Sequence, residues 1–305
     1  MKTILAIFWM ALLTLSCNAQ NSVTTNEIIK TSDNLFGVKS ADGSLLIDTL
    51  YGRISIVYAG ARLTLPTAKR EVNPKPLEYY VVSNKAHQKA LFNSDGKVVF
   101  DFVDCHSIQF DQHTQSIVTT ELTASNSLRG KLYDISGQAV FDTTFESVAF
   151  INNSDLIALI AQDGSIDEYY LYNPFTKKRM GPFDHFNIYN KDSGPPLGMK
   201  KEDFVKYTSL DVIAVRKTVD RDYVWGIVDM KGDEILPIEY DYFRLVGNDM
   251  KGTYLKNAEK PEDVEFLFYS RKSGSTYNML FLDADMQVYE FKREDGQKGV
   301  IRKVE

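Results

Sequence analysis

One stretch of 21 residues, Tyr223 to Phe243, recurs in weaker copies through most of the chain. It reads YVWGIVDMKGDEILPIEYDYF, in which two runs rich in apolar residues flank a turn that contains Gly232 and an aromatic run follows. Glycine tolerates the positive φ of a tight turn, so the stretch predicts a β-hairpin followed by a further strand. A chain built from such copies folds as a repeat protein.

The copies share an order of elements, and their starting points lie 37 to 56 residues apart. Each opens with a β-rich run led by an acidic or amide residue, at Glu27, Glu78, Gln115, Asp155, Asp211 and Glu265. The hairpins of the other five copies begin at Leu35, Lys89, Lys131, Tyr169 and Met279. The mean spacing, about 48 residues, lies in the range of four-stranded propeller blades.

We therefore predict an all-β repeat protein of about six β-hairpin or four-stranded units, with residues 27–305 forming one propeller-like β domain. The chain starts on a first strand at Glu27 and finishes on a strand of the fourth type, Gly299 to Val304. We expect this last strand to complete the sheet that the N-terminus begins, because such closure removes exposed sheet edges. An open array of β-hairpin repeats is the alternative.

The N-terminus has the features of an export signal. Lys2 precedes an apolar run, Ile4 to Leu13, that covers only about 15 Å as a helix, half of the roughly 30 Å hydrocarbon layer. Residues 1–19 are therefore predicted to be a signal peptide, and residues 20–26 a linker.

Two ways of removing this signal stay open. Cleavage after Ala19 would release a soluble periplasmic protein. Alternatively, Ser16-Cys17 resembles a bacterial lipobox, which makes Cys17 a lipidation candidate and the protein a membrane-anchored lipoprotein.

Charge and cysteine content exclude two further properties. The net charge is −6, and it becomes −7 when Lys2 leaves with the signal. Because the chain is acidic and has no basic block, we expect no nucleic-acid partner, and a membrane partner only through a lipid at Cys17. Once Cys17 is cleaved off or acylated, Cys105 is the one free cysteine, which excludes an intramolecular disulfide.

The segment from Trp225 resembles the bacterial WG-repeat family. The residues that carry this resemblance are Trp225, Gly226, Asp229, Gly232, Pro237, Tyr240 and Asp241, and Phe36-Gly37 looks like a degenerate copy. The resemblance implies an all-β repeat protein, commonly exported or membrane-associated, and it transfers no catalytic residue. We expect Trp225 to pack in the core, Gly226 to permit a close backbone approach, and Pro237 to lie at an edge or strand end.

No catalytic, cofactor-binding or metal-binding residue is assigned from the sequence. His106 and His113 are an odd number of residues apart, so on one strand they would face opposite sides. Cys105 and His106 would likewise point apart on a strand, which disfavours a nucleophile–base pair.

These observations favour a non-enzymatic binding or scaffold module of the bacterial envelope, with an unknown protein or a cell-surface glycan as partner. The alternative is an envelope hydrolase acting on glycans or peptides, in which two carboxylates would converge in a deep pocket. Three insertions, Thr67 to Pro76, Asn190 to Thr208 and Asn257 to Asp263, are expected either to border the binding surface or to be solvated loops.

Overall fold

The structure, a computed structural model, describes residues 26–58, 78–163, 166–189, 211–245, 266–272, 278–282, 287–293 and 299–304. In these ranges the regular elements are β-strands, and no helix long and apolar enough to cross a membrane occurs. The predicted signal peptide with Cys17, residues 20–25 of the linker and the three insertions lie outside the described residues.

The strands are β1 (Glu27–Lys30), β2 (Phe36–Lys39), β3 (Leu45–Tyr51), β4 (Arg53–Tyr58), β5 (Glu78–Ser83), β6 (Lys89–Phe92), β7 (Val98–Val103), β8 (Ser107–Asp111), β9 (Ser116–Leu122), β10 (Leu128–Asp134), β11 (Ser147–Phe150), β12 (Ile157–Asp163), β13 (Ile166–Asn173), β14 (Lys178–Phe183), β15 (His185–Tyr189), β16 (Val212–Val219), β17 (Asp222–Asp229), β18 (Glu234–Leu245), β19 (Phe266–Lys272), β20 (Asn278–Leu282), β21 (Val288–Arg293) and β22 (Gly299–Lys303).

These strands form successive antiparallel sheets. Sheet 1 contains β1 to β3, sheet 2 contains β4 to β7, sheet 3 contains β8 to β10, sheet 4 contains β11 to β14, and sheet 5 contains β15 to β22. Sheet 5 joins two units, because β18 pairs with β17 along its first half and with β19 along its second half. The predicted fold class is confirmed: an all-β chain of about six units, built as a propeller-like series of up-and-down sheets.

The sheets are shifted by one strand relative to the units seen in the sequence. The strand that follows each hairpin was expected to belong to the sheet of that hairpin, but β4 pairs with β5 and β15 pairs with β16. Only Gly52 separates β3 from β4, and only Asp184 separates β14 from β15. A tight hairpin needs about two connecting residues, so the chain passes on to the next sheet instead of folding back.

The last strand does not make the pairing that was expected to close a ring. Among the described residues, β22 pairs with β21, from Tyr289 opposite Lys303 to Arg293 opposite Gly299, while β1 pairs with β2. β21 and β22 are five residues apart in sequence, so their pairing closes a short loop at a small entropic cost. Pairing with β1 would instead join the two ends of the chain.

Each junction between consecutive sheets contains its own apolar core. Alternate residues of one strand face opposite cores: Tyr80 and Val82 of β5 pack toward sheet 1, whereas Tyr79 and Val81 pack toward sheet 3. The same alternation occurs at the start of β12, where Ala158 and the preceding Leu156 face sheet 5 while Ile157 and Leu159 face sheet 3. The inner sheets are therefore buried on both faces, which explains why their first strands read as nearly continuous apolar runs.

Four of the turns between strands follow one hydrogen-bonding scheme. An Asp or Asn side chain at the start of the turn accepts backbone N–H groups two and four residues later, and the third residue after it has positive φ. Asn93, Asp134 and Asp229 do this in turns where the positive φ belongs to Gly96, Gly137 and Gly232. Asn84 builds the same turn with His87, at φ 65°, in the glycine position.

Several of these turns also touch the preceding sheet. A Cβ on Gly96 would overlap the backbone carbonyl of Leu46 in sheet 1, and Asn26 Nδ2 donates a 3.2 Å hydrogen bond to Ser94 O of the same turn. A Cβ on Gly137 would lie 3.6 Å from the Phe100 ring of sheet 2. At position 96 a glycine is therefore needed for the positive φ of the turn and for the close contact with sheet 1.

Replacing Gly96 by alanine should destabilise the protein more than the same change at Gly43. Both glycines have positive φ, so each alanine costs about 1–2 kcal/mol in backbone strain. A Cβ on Gly43 meets only the Lys39 side chain at an ordinary 3.5 Å, whereas one on Gly96 overlaps Leu46, which adds about 1–3 kcal/mol. Urea unfolding of a protein that starts at Gln20 measures the free energy of unfolding of both variants. Equal losses in the two variants would contradict a close contact between the Gly96 turn and sheet 1.

Candidate functional site

The Trp-Gly pair lies on β17 beside a β-bulge. Trp225 is opposite Tyr240 and Ile227 is opposite Leu236, so one residue of β17 faces three of β18. A Cβ on Gly226 would lie 2.8 Å from Leu236 O, which confirms the expected close backbone approach. Pro237 lies inside the bulge and not at a strand end as expected, because a bulge tolerates a residue without an N–H donor.

The degenerate copy has the same local geometry. Phe36 is opposite Tyr51 and Val38 is opposite Ile47, so the register shifts at Gly37 as it does at Gly226. A Cβ on Gly37 would lie 2.6 Å from Ile47 O. Because Gly37 and Gly226 have no Cβ, the backbone of the bulged strand can approach each of them closely.

The other signature residues hold elements together. Asp229 builds the turn that contains Gly232, and this turn lies against sheet 4: Ser154 Oγ donates to Met230 O at 2.7 Å, and Asn173 Nδ2 donates to Lys231 O at 2.7 Å. Tyr240, next to Asp241, is the residue of β18 that pairs with both β17 and β19. These positions have structural roles at the junctions.

Trp225 is half-buried, which corrects the expectation of a core residue. It lies directly opposite Arg216 of β16, and the guanidinium carbon is 5.6 Å from the centroid of its ring. An arginine at the paired position keeps this face of the hairpin polar, so the indole packs against a cation instead of entering the apolar core.

A polar cleft lies where sheets 2 and 3 meet. We call it the Cys105 cleft; it has a volume of about 420 Å³ and is lined by His87, Lys89, Asp104, Cys105, His106, Glu121 and Leu122. Its walls come from the β5–β6 turn and the first residue of β6, from the β7–β8 connection and from the end of β9. Two packed sheets therefore hold connection residues around one cavity, which is a common origin of binding sites.

The charges in this cleft are mixed. Lys89 donates a 2.6 Å hydrogen bond from Nζ to Cys105 O, and two histidines and the carboxylates of Asp104 and Glu121 also line the cleft. Burial raises the pKa of the Cys105 thiol to about 11, with Lys89 opposing the rise and the two carboxylates adding to it. The thiol is therefore protonated at neutral pH, when it is a poor nucleophile and a poor metal ligand.

The structure corrects the expected separation of Cys105 and His106. Both residues line the cleft, Cys105 buried and His106 exposed, because they lie in the β7–β8 connection and strand alternation does not apply there. His113 lies beyond the other end of β8, where its Nε2 is 2.6 Å from Asp155 Oδ1. Within the described ranges, no group of three or more His, Cys, Asp or Glu residues is arranged to hold a metal ion.

A second hollow, of about 310 Å³, lies between sheets 4 and 5 and contains three carboxylates, Asp167, Glu168 and Asp184. Glu168 accepts a 2.6 Å hydrogen bond from the Tyr170 hydroxyl, and Asp184 accepts one of 2.6 Å from Thr218 Oγ1. Two of the three carboxylates are thus engaged by neighbouring hydroxyl groups.

No family model and no curated protein matches the chain. Among solved structures it is similar to TolB from Acinetobacter baumannii, with 11% identity over 91% of this chain and 66% of that one, and a TM-score of 0.28. It is also similar to the β-propeller domain of the Trilobed protease from Pyrococcus furiosus, with 11% identity over 72% of this chain and 76% of that one, and a TM-score of 0.27. The chain thus spans slightly less than two thirds of that TolB, and similarities this distant assign no function.

The protonated thiol should make Cys105 slow to alkylate in the folded protein. Raising its pKa from 9.0 to about 11 lowers the thiolate fraction near neutral pH about 100-fold. In a protein that starts at Gln20, iodoacetamide at pH 8 should react at least about tenfold more slowly in buffer than in urea. Mass spectrometry follows the reaction, Cys105→Ala is the blank, and equal rates in buffer and in urea would contradict the assigned pKa.

Proposed function

We propose that this chain is an exported, non-enzymatic binding or scaffold module of the bacterial envelope and a member of the WG-repeat family. The observation that carries the binding role is the Cys105 cleft, a concave, mixed-charge cavity whose walls are fixed by two packed sheets. The matching bulges at Phe36-Gly37 and Trp225-Gly226 support the family assignment.

The charges of the cleft suit a partner with polar groups of both signs. Lys89 and the two histidines offer donors, and Asp104 and Glu121 offer acceptors, so neither a purely anionic nor a purely cationic surface matches the site. Envelope proteins and cell-surface glycans both present such groups. Cys105 adds no nucleophile at neutral pH because its thiol is protonated.

The proposal of export rests on the apolar N-terminal segment, and Cys17 is the candidate site for a lipid anchor. We expect the natural protein to be found outside the cytoplasm when cells of a bacterial host are fractionated. If Cys17 carries lipid, Cys17→Ser moves the protein from the membrane to the soluble periplasmic fraction; if Ala19 is the cleavage site, that variant fractionates like the natural protein. Recovery of the natural protein in the cytoplasm would contradict export.

Binding is tested with purified protein that starts at Gln20 and with envelope fragments of the bacterium that produces it. We expect saturable co-sedimentation that weakens at least about tenfold, or 1.4 kcal/mol, in the double variant His106→Asn with Glu121→Gln, because these changes remove two polar partners from the cleft. His113→Asn, the same histidine change outside the cleft, is the matched control.

Release of reducing sugars or free amino groups is measured in the same mixtures. Binding without release of either product supports the proposal of a non-enzymatic binding module. Catalytic release of either product that is lost in the double variant would overturn the proposal in favour of a hydrolase.

A further inference from the structure

An arginine on the β16–β17 hairpin is held between two aromatic side chains. Arg216 lies opposite Trp225, and Thr218 lies opposite Tyr223, so the four side chains share one face of the sheet. The guanidinium carbon of Arg216 is 4.3 Å from the centroid of the Tyr223 ring and 5.6 Å from that of the Trp225 ring. We call Arg216, Tyr223 and Trp225 the Arg216 platform.

The cation of this platform is oriented by the two rings and has no salt bridge within the described part of the chain. Its Nε is buried without a hydrogen-bond partner there, and no carboxylate described in the structure forms a salt bridge with it. Asp184, whose backbone N–H donates to Arg216 O, has its own carboxylate hydrogen-bonded by Thr218. The aromatic rings therefore orient the guanidinium, and none of the described carboxylates forms an ion pair with it.

Tyr223 adds an accessible apolar surface to this charge. It retains 54% of its exposure although one side of its ring faces the guanidinium. A planar cation next to an exposed aromatic ring suits a ligand that combines a carboxylate with a rigid apolar face. A uronic-acid residue has both, since its ring presents C–H groups and carries a carboxylate.

We propose that the Arg216 platform binds a carboxylate-bearing sugar of an acidic glycan. The terminal nitrogens of Arg216 donate to the carboxylate, and the exposed ring of Tyr223 packs against the sugar. An acidic peptide is the less suitable ligand because its flexible carboxylates make no use of the ring. This site is separate from the Cys105 cleft. It rests on the proposed function only in that the protein must be exported to reach a surface that bears glycans.

The chain carries an internal reporter for this site. It has two tryptophans, Trp9 and Trp225, and Trp9 lies in the predicted signal peptide. In a protein that starts at Gln20, all tryptophan fluorescence therefore comes from the platform. Trigalacturonic acid is the probe, its fully methyl-esterified form is the uncharged match, and triglutamate represents an acidic peptide.

We expect trigalacturonic acid to change the fluorescence saturably, and the ester and triglutamate to bind at least about tenfold more weakly. Arg216→Gln should weaken binding by a similar factor, and Arg216→Lys should not restore it fully because lysine lacks the planar fork. Tyr223→Leu should also weaken binding. Lys217→Gln, a loss of charge at the neighbouring residue on the opposite face, should leave it unchanged.

Each measurement is repeated by titration calorimetry, so that binding without a change in Trp225 fluorescence is also detected. Equal affinity for the ester or for triglutamate, no binding of trigalacturonic acid, or full binding by Arg216→Gln would each overturn the proposal. The ester comparison uses the unaltered protein and does not depend on a variant that folds. If the platform fails while cleft-dependent binding to envelope fragments persists, the proposed function stands without it.

Discussion

Burial of the inner sheets on both faces is the constraint on which the rest of the structure depends. Tyr79 and Val81 of β5 face one core while Tyr80 and Val82 face another, so no inner sheet can be removed without exposing two apolar surfaces. The alternation of a strand normally separates a core from solvent; here it separates two cores. The Cys105 cleft accordingly lies among connections and at the end of a strand, whereas the Arg216 platform lies on one half-buried face in the middle of β16 and β17.

The turns make these layers specific. Asp229 and Asn93 fix the shape of their turns, and the backbone carbonyls of those turns accept hydrogen bonds from the preceding sheet, as Met230 O does from Ser154. Apolar packing alone is non-directional and would allow neighbouring sheets to slide. Hydrogen bonds at defined turn atoms set the relative position of sheets 1 and 2 and of sheets 4 and 5.

The hairpins were predictable from sequence because their signals are local: apolar runs separated by an Asp-Gly or Ser-Gly turn. The sheet to which each strand belongs was not predictable, because it depends on the length of the connection before the strand. A connection of one residue, such as Gly52 or Asp184, has no recognisable sequence motif. The cleft was missed because Cys105 and His106 were placed on a strand and not in a connection. The pairing of Arg216 with Trp225 depends on register, although the nine-residue spacing across the Asp220-Arg221 turn carried that information.

The passage of a strand from each unit to the next sheet also determines how this protein can be divided. A fragment cut at the repeat boundaries of the sequence would begin without its leading strand and end on a strand whose partners are gone. The smallest self-contained piece therefore starts at a connection such as Gly52 or Asp184, and not where the sequence repeat starts. Insertion or duplication of a unit preserves every sheet only when the unit begins and ends at those connections. The structural modules of the chain therefore have different boundaries from its sequence repeats.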